Sequence, residues 1–205
     1  MGFFRTLGEK PWLSPSEQGS SAAGAARKLP AARIGLRFFL LMVAILFSLI
    51  TSVYFMRMSF PDWEPLADPR LLWLNTALLA LASLALETAR RAARRQDDKV
   101  LRRGLLLGGL LGIAFLAGQI LAWQQLVGLG YFVTANPANS FFYLITGLHW
   151  LHIAGGVIAW LRTSGRLREE GSESGRMRLS LELCAIYWHF LLLVWIGMFA
   201  LLLTT

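Results

Sequence analysis

The chain has 205 residues, 56% of them hydrophobic and 16% charged, with a mean hydropathy of +0.53. A soluble domain keeps roughly a quarter of its residues charged, so the composition excludes an ordinary water-facing surface and indicates an integral membrane protein. One cysteine, Cys184, inside an apolar run, excludes an intrachain disulfide framework and a thiolate metal cluster.

In chain order, residues 1–35 are rich in Ser, Ala, Gly and Pro, lack a helical period, and are expected to form a flexible, basic cytoplasmic tail. MGFFRT at its start matches a loose myristoylation pattern, an anchor for which a multi-span chain has no need. Residues 36–205 are expected to form the membrane domain. A spanning helix needs roughly 20 mostly apolar residues. The first such run, about 38–56, carries no charge, is too long for a signal-peptide apolar core and has no small-residue cleavage pattern after it. A second spans about 71–89. The uncharged stretch from Gly104 to Leu161 is broken by YFVTANPANS at 131–140, whose Asn, Pro and Ser favour turns, and divides into helices at about 104–127 and 140–161. The last span is about 179–203. The expectation is an all-α, polytopic bundle of five transmembrane helices.

Charge sets the orientation. Residues 1–37 hold six Lys/Arg, the segment 90–103 seven and the segment 162–178 five, whereas the alternate side has only Arg57 and Arg70. The positive-inside rule then puts the N-terminus and both basic loops in the cytoplasm and the C-terminus in the periplasm. The same pattern accounts for the net charge of +8. Basic residues flank spans, where anionic headgroups can accept them, and no nucleic-acid partner is expected.

Ionisable side chains within spans are costly, so each is a functional hypothesis. Here they are Glu87, His149, His152, Glu182 and His189, with Gln119, Asn75, Ser83 and Thr146 as uncharged polar groups. His149 and His152, three apart, share a helix face. Such a pair can ligate a metal or haem, or can bond polar partners on neighbouring helices. Three histidines are too few for two haems and a copper centre. Glu182 and His189, seven apart, also share a face, and Arg178 is a natural ion-pair partner for Glu182. Gly104, Gly108, Gly109, Gly112 and Gly118 permit close helix approach. There is no complete catalytic constellation, and no internal repeat supports a transporter. The residues describe a non-catalytic subunit of a larger assembly.

From about residue 36 to 203 the sequence resembles the cytochrome c oxidase subunit III family. The resemblance rests on LNT (74–76), Gln119 with Trp123, FFYLITGLHWLHIAGG (141–156), and Glu182 followed by YWHF and Trp195. The five-helix form is similar to the short bacterial versions. The resemblance implies a subunit without cofactors of its own in the bacterial plasma membrane. It would pack against the haem-copper subunit I, with subunit II and others nearby, and haem and copper would reside in those partners. It also implies phospholipid binding, support of proton uptake in aerobic electron transport, and internal polar contacts made by His149, His152, Glu182, His189 and Gln119. Val43, Ala122 and Leu192 stand where the family commonly has acids, which speaks against a proton path through the helix interior. Those departures raise an alternative, the accessory subunit of a nitric-oxide-reductase-like enzyme. An independent transporter or haem-binding carrier is the third reading.

Overall fold

The computed structural model describes residues 21–63, 70–170 and 175–204. Most of them lie in five helices, α1 (Ser21–Arg57), α2 (Arg70–Arg95), α3 (Asp98–Gly128), α4 (Pro137–Glu170) and α5 (Gly175–Leu203), each long and apolar enough to cross a membrane. Lipid offers no hydrogen bonds to the backbone, so uninterrupted apolar runs satisfy theirs inside helices.

The helices outrun the apolar runs that nucleate them. α1 begins at Ser21, so residues 21–35 of the expected tail are helical, and residues 1–20 lie outside the described residues. Gly24 and Pro30 mask this stretch in the sequence, while its alanines are the strongest helix formers. Contacts group the chain into Met1–Gly35 and Leu36–Thr205, and every side-chain interaction below lies within the second unit.

The connections are short and specific. Between α2 and α3 only Gln96 and Asp97 intervene. Gln96 takes a left-handed φ of 58°, and the Asp97 carboxylate caps α3 by accepting from the Val100 N–H at 3.1 Å. Arg94 and Arg95 end α2 and Asp98 begins α3, each at the end its charge favours. α3 stops before Gly130, whose φ of 89° excludes further helix. The 129–136 linker is then held by Asn139 and Tyr143 of α4, which donate to the carbonyls of Phe132 and Tyr131 at 3.1 and 2.9 Å. Past α1, the Arg57 guanidinium pairs with Asp62 (Nη1 to Oδ1, 2.7 Å) and holds that carboxyl below its ordinary range.

Helices α2 to α5 form a closed antiparallel ring. Along α2 and α3, Gly104 faces Ala85 and Ala89, Gly108 faces Leu86, and Gly118 faces Asn75. Along α3 and α4, Trp160 bonds the Leu105 carbonyl, Trp150 bonds that of Leu116, and Trp123 bonds Thr146. α4 meets α5 through Tyr187 and the His152 carbonyl at one level and Arg166 and Ser180 at another. α5 returns to α2 through Trp195 with Thr76 and His189 with Ser83. In every pair the numbers rise on one helix as they fall on the other. Two glycines serve as notches: a Cβ at Gly109 would overlap the Trp160 indole, and one at Gly112 the Trp188 indole.

α1 stands apart. Among the described residues, no Cα of α1 lies within 8 Å of a Cα in another helix. Only side chains bridge the gap. Val43, Phe47 and Tyr54, on one face, are buried, while Phe38, Met42, Leu49 and Met56 are left exposed for lipid.

Candidate functional site

The polar side chains carried into the spans meet at three levels of the ring. Nearest the α2 N-terminus, Trp195 donates to Thr76 Oγ1 at 2.8 Å, joining α5 to α2. Beside it Asn75 Nδ2 donates to Gln119 Oε1 at 3.1 Å, joining α2 to α3 with both residues fully buried. Gly118 makes this possible, because a Cβ there would strike Asn75 Oδ1. On the far side of α3, Trp123 donates to Thr146 of α4 at 3.1 Å.

At the middle level sits His149, one turn beyond Thr146 and completely buried. It is enclosed by the rings of Phe47 (6.2 Å between centroids), Phe115 (6.0 Å) and Trp195 (5.1 Å), so α1, α3 and α5 all contribute. Neither ring nitrogen bonds a protein group. His152, one turn on, is half-buried. Its Nδ1 is 2.7 Å from the Leu148 carbonyl, and Phe47 and Phe39 flank its ring at 5.6 and 6.3 Å.

Towards the basic end, His189 lies between two α2 side chains. Its Nδ1 faces Ser83 Oγ and its Nε2 is 3.3 Å from Glu87 Oε2. Glu87 also accepts from Arg90 Nε at 2.8 Å and Nη2 at 2.9 Å, and from Arg91 Nε at 2.8 Å. Bidentate pairing of this kind is strong and directional. Glu182 lies within the electrostatic reach of Arg90. His189 thus turns to Ser83 and Glu87 on α2, partners that the shared face with Glu182 on α5 did not single out.

The three histidines do not converge. His149 is sealed among aromatic rings, His152 is tied to its own helix, and His189 is engaged from both sides. Among the described residues, no group of three or more His, Cys, Asp or Glu is placed to hold a metal ion. Of the positions where acids were expected, Val43 and Ala122 are buried and Leu192 is half-buried. The network can therefore clamp helices together. Two grooves of about 370 Å³ open at the basic end, one between α1, α4 and α5, the other between α3 and α4.

A family model described as cytochrome c oxidase subunit III matches residues 28–204. The chain belongs to that family. Among its relatives, "Cytochrome c oxidase subunit 3" of Synechocystis is 33% identical over 163 residues, covering 77% of this chain and 68% of the relative. The protein of the same name from Thermostichus vulcanus is 28% identical over 173 residues, covering 82% and 85%. A "Probable cytochrome c oxidase subunit 3" from Nocardia farcinica is 34% identical over 125 residues, 61% of each chain. As a subunit III the chain is a multi-pass membrane component of an oxidoreductase complex, and it associates with other oxidase subunits. The matched segment contains all of α2 to α5, and with them every polar contact described above.

Sequence motifs alone identified His149, His152, Glu182, His189 and Gln119. Ser83 and Thr146 stood out only as polar; Trp150 and Tyr187 lay inside the quoted motifs without being singled out, and Trp160 was not singled out. Indoles and phenols inside membranes seek a carbonyl or hydroxyl on a neighbouring helix, so each aromatic residue with an N–H or O–H was a candidate clamp.

Proposed function

We propose that this chain is the non-catalytic subunit III of a bacterial haem-copper terminal oxidase in the plasma membrane. It flanks and stabilises subunit I, with subunit II and others in the same particle. The observation that carries this reading is the family match over residues 28–204, on a ring whose helices are tied to one another by side-chain hydrogen bonds. Haem and copper belong to the partner subunits. His149, His152, Glu182, His189 and Gln119 act as structural contacts, and the membrane domain is 36–205, preceded by a cytoplasmic segment, 1–35. The three relatives named above carry cytochrome c oxidase names, which favours an oxygen-reducing complex over a nitric-oxide-reducing one.

The charge distribution, 18 basic residues on one side (6 + 7 + 5) and 2 on the other, supports a cytoplasmic N-terminus and a periplasmic C-terminus. The groove between α1, α4 and α5 suits a phospholipid. Leu36, Phe39 and Leu183 supply apolar walls, and Arg162 and Arg166 stand at the basic end. Support of proton uptake is then indirect. Val43, Ala122 and Leu192 leave no acid at those three positions, so lipid and packing at the flank of subunit I are the means.

Purification by a tag on this chain tests the reading. Haem-bearing subunits should co-purify, and His152→Ala should lower the particle's thermal midpoint while leaving its haem spectrum unchanged. A Soret band carried by the chain alone and removed by His149→Ala would overturn it. Recovery of nitric oxide reductase subunits would replace the oxygen-reducing partner with the alternative.

A further inference from the structure

The layer of the ring around Asn75, Gln119 and His149 holds more hydrogen-bonding capacity than its residues use. Along α3 and α4, Trp123 donates to Thr146 and Trp150 to the Leu116 carbonyl, both at 3.1 Å. Between those two bonds the antiparallel helices bring Gln119 abreast of His149. Phe115, one turn before Gln119 on the same face of α3, has its ring 6.0 Å from that of His149. From α2, Asn75 reaches Gln119 at 3.1 Å. All three polar side chains are fully buried, at a depth where lipid surrounds the ring.

Among the described residues, seven buried side-chain nitrogen and oxygen atoms have no hydrogen-bond partner, and four of them belong to this layer: Asn75 Oδ1, Gln119 Nε2 and both nitrogens of His149. One such atom is a local cost; four at one level mark a site. Their chemistry is mixed. Gln119 Nε2 donates, Asn75 Oδ1 accepts, and a neutral imidazole does one of each. An anion would meet the Asn75 oxygen, a cation would meet the Gln119 amino hydrogens, and an apolar gas would leave every one of these atoms unpaired. Water both donates and accepts, and a buried water typically makes about three bonds to such groups.

We propose that the centre of the ring binds one ordered water molecule. It accepts from Gln119 Nε2 and donates to Asn75 Oδ1 and to the unprotonated nitrogen of His149, whose other nitrogen stays among the enclosing aromatic rings. The water joins α2 to α4, which among the described residues have no Cα atoms within 8 Å of each other. The site is built from this chain's own ring and stands whichever catalytic partner the particle carries.

The test is a map of the native particle, purified through a tag on this chain, at a resolution that shows ordered water elsewhere in the protein. A single peak is expected within about 2.7–3.2 Å of Gln119 Nε2, Asn75 Oδ1 and a His149 nitrogen. His149→Leu separates the two cases by sign. An imidazole with no partner is desolvated without return, and an apolar side chain of similar size in its place would leave the thermal midpoint unchanged or raise it. An imidazole bonded to water should instead be missed, with a fall of roughly 2–4 °C and loss of the peak. Absence of the peak in the wild-type map, a density larger than one water, or a midpoint that His149→Leu leaves unmoved or raises would each overturn the site. Should that variant fail to assemble, the wild-type map decides. Which haem-bearing subunits co-purify is read from the same preparation, so a failure of the assignment to an oxidase and a failure of the water site are told apart.

Discussion

α1 and the α2–α5 ring are both apolar helices in the same membrane, yet they are held by different means. The ring is clamped at close range. Glycines bring backbones together, and side-chain hydrogen bonds tie each helix to its neighbour. Among the described residues, α1 lacks that close approach of backbones. It stands off by more than 8 Å between Cα atoms and leans on Phe47 and Tyr54. In lipid, burying an apolar side chain against protein gains little over burying it against acyl chains, so small residues and polar bonds decide which helices are bound tightly. The difference teaches that the ring is the rigid element and α1 its adjustable one, with a groove opening beside it.

The comparison breaks most readily at a glycine notch. Gly109→Leu drives a side chain into the Trp160 indole and should cost about 3 kcal/mol or more, read as a large fall in the thermal midpoint or as failure to assemble. Asn75→Leu, which leaves Gln119 buried without its partner, should cost about 1–2 kcal/mol by detergent-titrated unfolding. Adding Gln119→Leu should recover part of that loss, and a fully additive double variant would mean that the pair does not couple α2 to α3. His189→Ala removes the contacts with Ser83 and Glu87 together and should cost about 1 kcal/mol. Ser83→Ala should lose a smaller share of the same energy, and no loss in either would show that α5 closes on α2 by packing alone. The smallest effect is expected at Phe47→Ala, below about 1 kcal/mol. Hydrogen exchange should accelerate in α1 while α2 to α5 keep their protection; loosening spread evenly over all five helices would erase the distinction between ring and outlier.

The five spans were legible because charge is excluded from lipid: uncharged runs, and the Asn-Pro break at 131–140, mark them directly. The glycines of α3 were legible as a close-approach face, though not which indoles fill it. The partners of His189 were not legible. Its spacing from Glu182 points along α5, but Ser83 and Glu87 lie more than 90 positions away, and no local period encodes which helix closes the ring. The aromatic cage of His149 draws on three other helices and was hidden for the same reason. The helical start at Ser21 was obscured by Gly24 and Pro30. The stand-off of α1 was invisible, since its run is as apolar as the others.

The two indole-filled notches of α3 bear on how such a sequence can change over time. Trp160 and Trp188 fit only because positions 109 and 112 lack a Cβ, so a single substitution at either member of a pair leaves a collision or a hole. Each pair is therefore free to drift only together, and distant relatives that acquire bulk at 109 or 112 should show a trimmed side chain at 160 or 188.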